Sequence, residues 1–514
     1  MTALQQLQHN VEQSFRWSAP QPANWVPPTP GVDHDVVILG GGQTGVAIAY
    51  GLRRQGVNNT LVIDQAQPGE AGIWTNIARM NLLRTSKFLA GPEFGNPALS
   101  FRAWFETQFG AQAFDALQRI RREDWAAYLA WYQKTVKVEV QYETRLLRIE
   151  PVAHAATNGL LRLHLQQQGE PRTVVTRKLV LATGFGGAGE NHIPALFHSL
   201  PKHLWAHTSE AIDFAALKGK RLAIVGAGPS AFDAAGVALE QGAGAVHLFS
   251  RRAAITHQPN SPKGETSPQP PDAVPAPPKA PPGRNYPGAF THFHKLPDAV
   301  RWQYHFKGKG APASTPEDSI QRATAFDNFH IHLNAPWNSA SADASAVRVV
   351  IDGEAFAFDY VIAGTGFRVD LSARPELQGV AEHIALWGDR YTPPPGEEYP
   401  QAALFPYLGE GFEFLEKQPG ATPWVRHIYG YNWAAALSSG KNLSDVPSMP
   451  ELDRIIGGIT RSLFLEDLPH HAERIAGPGP AKAASDPHAV YAQAIWPKRR
   501  AAATSTSHIV QGTV

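Results

Sequence analysis

Two short stretches of the chain carry glycines at a spacing suited to chemistry. Gly40, Gly42 and Gly45 stand in "DVVILGGGQTGVAIAYGL"; Gly226 and Gly228, followed by Ala231, stand in "RLAIVGAGPSAFDAAG". In a G-x-G-x-x-G turn between strand and helix, the first glycine permits the tight turn and the second lets a pyrophosphate approach the backbone. The third allows close packing of helix on strand, and the helix N-terminus then faces the negative charge. Asp64 completes the first unit at the end of "TLVID". It lies roughly 20 residues on, where an acid accepts bonds from a ribose hydroxyl. In the second unit the next strand ends in "HLFSRR". Arg251 and Arg252 offer planar cationic donors there, suited to a ribose 2′-phosphate and hence to NADPH. Ser230 belongs to the phosphate turn, because Gly228-Pro229-Ser230-Ala231-Phe232 lacks the final glycine of a hydrolase nucleophile elbow.

Such turns need strands before them and helices after. "DVVILG", "TLVID" and "KLVLATGF" are continuous apolar runs, the pattern of strands buried on both faces of a parallel sheet. "REDWAAYLAWYQKTV" places Trp125, Tyr128, Leu129 and Tyr132 on one helical face. The expected class is α/β, with two Rossmann-like dinucleotide-binding domains, the second inserted in the first. Residues 1–34 form a lead-in, 35–215 the first part of the first domain and 216–345 the second domain. Residues 346–470 return to the first domain. A proline-crowded insertion occupies 259–288, and 471–514 form a tail of disordered composition. Asp352-Gly353 marks a hairpin turn.

Composition narrows the class. Among 514 residues, 46 are basic and 45 acidic, so net charge provides no case for nucleic acid or an anionic membrane. No apolar run approaches a membrane span, and "MTALQQLQHNVEQSFRW" lacks the apolar centre of a signal peptide, so a cytoplasmic protein is expected. The absence of cysteine excludes disulfides, thiolate metal sites and redox dithiols. His292 and His294, like His330 and His332, stand two apart with no carboxylate set to complete a site, so no metal is expected. Oligomerisation is left open.

Further motifs resemble a known family. "PGEAGIWTN" resembles the GGxW element of FAD-dependent monooxygenases, with Gly72 and Trp74 in the matching places. Ala182-Thr183-Gly184 resembles the ATG strand by which two-dinucleotide flavoproteins leave their FAD domain. From about Asp35 to Phe367 the chain resembles the class B flavoprotein monooxygenases, and within them the N-hydroxylating lysine and ornithine type. In "LLRTSKFLAGPEFGNPALSFRAWF", Ser86 matches the family's MQxSFLKDL helix, Leu83 takes its methionine place and Arg84 its glutamine place. "RREDWAAYLAWY" resembles R-x-EF-x-x-YL-x-W, and "DYVIAGTGF" resembles D-x-x-x-L-ATGY, which puts Thr365 and Gly366 beside a cofactor.

The resemblance implies FAD at the first turn, NADPH at the second, and an enzyme that uses dioxygen to hydroxylate a small organic substrate. A flavin C4a-hydroperoxide would be the oxidant and nitrogen its target. Arg84 is the candidate catalytic contact on the flavin side, its other reading being a salt-bridging arginine on a helix; Asn432 and Ser438, where the chain returns, either bond the flavin or cap the following segment. Leu89 stands where the family's lysine grips an amino-acid carboxylate; Lys87, nearby, would point elsewhere on a helix, so ornithine and lysine are not expected as substrates. Of the FxGxxxHxxxW signature only His207 remains. The alternatives are an NADPH-dependent flavoprotein reductase and a carbon-hydroxylating monooxygenase of the same fold.

Overall fold

Val36, Val37 and Ile38 are wholly buried because their strand, His34–Leu39, runs inside a sheet covered on both faces. In this computed structural model residues 2–18, 20–89, 91–152, 159–258, 287–309 and 314–477 are described. His34–Leu39 pairs in parallel with Thr60–Ile63 on one side and with Glu170–Gly184 on the other. The latter strand is 15 residues long and serves two structures. Its first half forms an antiparallel pair with Leu161–Gln167. Its second half runs parallel between His34–Leu39 and Ile428–Asn432. Because Ile428–Asn432 comes from beyond the second glycine unit, that unit is an insertion between two strands of one sheet.

The second sheet is parallel throughout, in the order Phe329–His332, Ala245–Phe249, Arg221–Val225, Tyr360–Ala363, Trp205–His207. It reaches past both ends of the expected 216–345 span. Trp205–His207 is too short to show a periodicity, and Tyr360–Ala363 lies in the stretch assigned from its motif to the returning domain. Successive side chains point to opposite faces. Leu222 and Ile224 join Phe232 and Leu248 in one core, while Ala223 joins Phe249, Val347 and Phe358 in another. The second of these is shared with the antiparallel strands Val347–Ile351 and Glu354–Phe358. Their turn is Asp352-Gly353 with φ of 50° and 85°, the two positive values a tight hairpin requires.

Arg122–Thr135 is helical and buries Trp125, Tyr128 and Tyr132, with Leu129 packed against the same core. The "LLRTSKFL" segment is not a helix: it runs irregularly, and Leu82 makes an isolated bridge to Arg121. Met449–Glu466 buries Leu452, Ile455, Ile456, Ile459 and Leu463, one helical stripe. It rests on Gln43–Arg54, the helix after the first turn, and so fixes that helix from behind. A side chain at Gly51 would place its Cβ 2.2 Å from Ile456 Cδ1.

The lead-in contains a helix, Ala3–Trp17, capped by Thr2 and buried through Leu7 and Val11. Met1–Asp467 form one compact unit and Leu468–Val514 a second. In the second unit Leu468–Ala476 is helical, so the start of the tail expected to be disordered is ordered. Residues 478–514 and most of the proline-rich insertion lie outside the described residues. Among the described residues no helix is long and apolar enough to cross a membrane.

Candidate active site

Both glycine turns open into one cleft of about 1470 Å³. That exceeds the roughly 300–1,000 Å³ of an ordinary small-molecule site. The first turn is built by close backbone approach. Gly40 has φ 113°, and a Cβ there would lie 2.4 Å from the Ala182 carbonyl oxygen. A Cβ on Gly45 would lie 1.8 Å from the Gly40 oxygen. Gly42 caps the helix Gln43–Arg54 and faces Gly72, whose Cα a Cβ on Gly42 would meet at 3.2 Å. Asp64 lines the cleft and accepts from the Gly41 N–H at 2.7 Å and the Ala66 N–H at 2.8 Å. Its carboxylate therefore braces the turn, with lone pairs left for a ribose. Trp74, on the Gly72 loop, donates from its indole to Gln43 Oε1 at 3.0 Å. Trp125 donates to the same oxygen, also at 3.0 Å.

The second turn repeats the construction. Gly226 has φ 117°, and a Cβ there would lie 2.2 Å from the Gly364 carbonyl oxygen. Gly228 caps the helix Pro229–Glu240, with nothing within 4 Å of a Cβ built on it. Ser230 lines the cleft; Ala231 is buried against Gly364. Arg251 and Arg252 line the same cleft at the end of the neighbouring strand, and among the described residues neither pairs with a carboxylate. Arg252 donates to the Ala227 carbonyl at 3.4 Å. Burial, then the charge of Arg251, lowers its pKa from the usual arginine range.

Two Thr-Gly-Phe segments connect the halves. Thr183, Gly184 and Phe185 lie at the end of the long strand of the first sheet; Thr365, Gly366 and Phe367 follow Tyr360–Ala363 of the second, and all six line the cleft. Phe185 and Phe367 stack with ring centroids 5.5 Å apart. Gly189–Asn191 pairs antiparallel with Phe367–Val369 beside them.

Arg84 lines the cleft and spans it. Its Nη2 lies 3.2 Å from Oδ2 of Asp233, a buried carboxylate on the second-turn helix whose other oxygen accepts from Ser319 Oγ at 2.7 Å. Asn432 takes the capping role, at the start of Trp433–Ala435. It is buried outside the cleft lining, with Nδ2 donating to Thr183 Oγ1 at 3.0 Å and Oδ1 accepting from the Ala434 N–H at 2.9 Å. It joins the returning strand to the Thr183 segment and so acts behind the cleft wall. Ser438 is likewise spent on Trp387 and the Leu408 N–H. Lys87 donates to the Phe114 and Asp115 carbonyls at 2.8 and 3.1 Å, and Leu89 is exposed. His207 is buried against the edge of Phe367, and burial holds its pKa down at about 4. His330 and His332 lie with His247 on neighbouring strands of the second sheet, away from the cleft.

Sequence reasoning missed two of these residues. Gln43 occupies an unconstrained place in G-x-G-x-x-G, and Asp233 meets Arg84 across a sequence gap that no local pattern bridges. The signal for Gln43 was two tryptophans needing an acceptor; Asp233 was an acid on an otherwise apolar helix face.

The model of the L-lysine 6-monooxygenase/L-ornithine 5-monooxygenase family matches residues 105–272. An FAD-dependent urate hydroxylase of Xanthomonas campestris pv. campestris is 37% identical over 484 residues, covering 92% of this chain and 96% of that protein. Among solved structures, the ornithine hydroxylase of Pseudomonas aeruginosa superposes with a TM-score of 0.60 at 19% identity, covering 84% of this chain and 99% of that one. A Kutzneria ornithine N-hydroxylase, solved with reduced FAD, NADP+ and L-ornithine, gives a TM-score of 0.59 at 16% identity over 84% of this chain and 99% of its own. These structural likenesses bear on the fold.

Proposed function

The chain belongs to the class B flavoprotein monooxygenases of the lysine/ornithine monooxygenase type, and from that premise we propose that it hydroxylates a small planar, nitrogen-rich ring of the urate kind. It is an FAD- and NADPH-dependent monooxygenase. Bound FAD, reduced by NADPH, supplies the activation of dioxygen.

The chain's own residues bind, orient and enclose. Gly40, Gly42 and Gly45 admit the FAD pyrophosphate to the N-terminus of Gln43–Arg54, and Asp64 takes a ribose hydroxyl. Gly72 keeps the Trp74 loop close to that turn. Gly226, Gly228, Ser230 and Ala231 receive the NADPH pyrophosphate, while Arg251 and Arg252 take the 2′-phosphate by charge-assisted bonds. The open space above Gly228 fits such an occupant. Thr183, Gly184, Thr365 and Gly366 bring both exits to the cofactors, and the stacked Phe185 and Phe367 give the cleft an apolar wall that keeps water from the reacting atoms. The partners are the small substrate and dioxygen. A cysteine-free chain that draws on NADPH is proposed to work in the cytoplasm.

One observation carries the substrate reading. The cation nearest the family's carboxylate-gripping place, Lys87, is spent on two backbone carbonyls, and Leu89 occupies the place itself. An amino-acid carboxylate has no grip there, and the 37% identical relative is named for urate. Hydroxylation of an amine at nitrogen is the second reading, supported by the family-model match and by the N-hydroxylase fold. The test is NADPH oxidation under isotope-labelled dioxygen with urate, L-ornithine and L-lysine offered separately. The expected result is urate-dependent oxidation, with one labelled oxygen on a ring carbon. A labelled hydroxylamine from an amino acid, with urate inert, would replace the first reading by the second.

A further inference from the structure

Arg145 is a cation without a partner in the lining of the cleft. Among the described residues no side chain pairs with it, bonds to it or offers it a ring. Its place follows from the backbone around Asp64. The Asp64 carboxylate faces the first turn, where it accepts from the Gly41 N–H at 2.7 Å. Its main chain is tied to the segment that leads to Arg145. The Asp64 N–H donates to the Gln141 carbonyl at 3.0 Å, and the Asp64 carbonyl accepts from the Thr144 N–H at 2.8 Å. The Ala66 carbonyl accepts from the Glu143 N–H at 2.9 Å, so the two segments run side by side. Glu143, with φ 50°, turns the chain into the strand Thr144–Pro151. Thr144 and Leu146 are buried, which leaves Arg145 between them on the strand's other face, exposed and at the cleft.

The order along this wall is glycine turn, Asp64, Arg145. A dinucleotide runs in the same order: pyrophosphate, ribose, base. With a pyrophosphate at Gly40 and Gly42 and a ribose hydroxyl on Asp64, the base falls to Arg145. Leu146 and Pro375 add apolar surface to the lining, and the turn Pro375–Leu377 packs against the same strand. A neutral purine gives a guanidinium no charge to pair with, but it gives a flat aromatic face, on which a planar guanidinium stacks.

We propose that Arg145 stacks its guanidinium on the adenine of FAD and so makes the first site prefer FAD to FMN, which lacks that base. This rests on FAD occupying the first turn.

The test titrates the full-length chain, freed of flavin, with FAD and separately with FMN, each followed by its fluorescence. Arg145→Ala should raise the Kd for FAD roughly 2- to 30-fold, the span of a cation–π contact, and leave the Kd for FMN in place. Arg145→Phe keeps a flat face without the charge and should restore most of the affinity for FAD. Arg145→Lys keeps the charge without the plane and should restore only part of it. Release of FAD from the holoenzyme on dilution, faster in Arg145→Ala, makes the comparison without removing flavin, which covers a flavin-free variant that fails to fold. Arg148→Ala changes a cation on the same strand that pairs with Glu150 outside the cleft lining, and should move neither Kd. An equal loss of FAD there would lay the effect on the charge of the strand and overturn the proposal. Full rescue by lysine with none by phenylalanine, or a weakened FMN, assigns Arg145 to a phosphate and also overturns it. Asp64→Asn separates the proposal from its premise. If Asp64→Asn weakens FAD more than FMN and Arg145→Ala does not, the proposal alone falls. If neither substitution distinguishes the two flavins, the adenosine of FAD lies elsewhere, and its placement at the first turn falls as well.

Discussion

The two glycine turns solve one steric problem in two ways. In each, the first glycine lies under the carbonyl of the residue preceding a Thr-Gly pair, Ala182 for Gly40 and Gly364 for Gly226. At the third position they part. Gly45 sits under its own turn, and a Cβ there would lie 1.8 Å from the Gly40 oxygen. Ala231 keeps a Cβ at the equivalent place because the missing side chain has moved to the facing strand: a Cβ on Gly364 would lie 2.7 Å from that of Ala231. The motif therefore conserves a close approach of backbone to backbone, and which residue gives up its side chain is open.

The largest effect should separate the third positions. Gly45→Ala forces the turn apart and should cost about 3–5 kcal/mol, the upper range for one substitution, with loss of bound flavin. Ala231→Gly meets no such obstacle and should cost about 1 kcal/mol, from helix propensity. Denaturation midpoints and flavin absorbance read both, and equal losses would break the comparison. Next, Gly364→Ala should cost about 1–3 kcal/mol by overpacking. Combining it with Ala231→Gly should recover most of that loss, a coupling visible in a double-mutant cycle. Strictly additive losses would mean that Ala231 and Gly364 do not share the space.

Why these turns were legible and their surroundings less so follows from how far each interaction reaches along the chain. A glycine turn, its strand and its acid or arginine pair fall within one βαβ unit, so spacing alone locates Asp64 and Arg252. Asn432 kept two readings, flavin contact and cap, because an asparagine that caps and crosses to Thr183 reads the same as one that meets a ligand. The segment around Arg84 carries a helical motif but is irregular, and its partner Asp233 lies 149 residues on, in the helix Pro229–Glu240. Trp205–His207 showed no pattern because its three residues become a strand only by pairing with Tyr360–Ala363.

The strand ends sharpen the contrast by charge. Asp64 spends both oxygens partly on backbone, whereas Arg251 and Arg252 have no carboxylate partner among the described residues. Removing both arginines should therefore cost little stability and fall on the ligand. Arg251→Ala with Arg252→Ala should lose about 1.5–3 kcal/mol of NADPH affinity, roughly ten- to a hundredfold, and leave NADH nearly unchanged. Steady-state KM values for the two cofactors decide it. Equal losses with both would place the 2′-phosphate elsewhere.

The smallest expected change in stability tests the second positions. Gly42 and Gly228 both cap their helices with extended backbone, φ −73° and −86°, which any L-residue adopts. Conformation alone therefore does not require glycine at either. At Gly42 the fold asks for it in part, since a Cβ would press Gly72 at 3.2 Å. At Gly228 a Cβ meets nothing within 4 Å, so the protein by itself gives no reason for glycine. Gly228→Ala should leave the melting temperature unchanged or raise it slightly, because alanine at a compatible φ and ψ restricts the unfolded chain by about 0.4–1 kcal/mol. The requirement then comes from what approaches the turn. If a pyrophosphate lies there, the added methyl should raise the KM for NADPH and for NADH alike, unlike the arginine pair, whose loss discriminates between them. A variant that melts like the wild type and keeps both KM values would show that no dinucleotide backbone comes near Gly228.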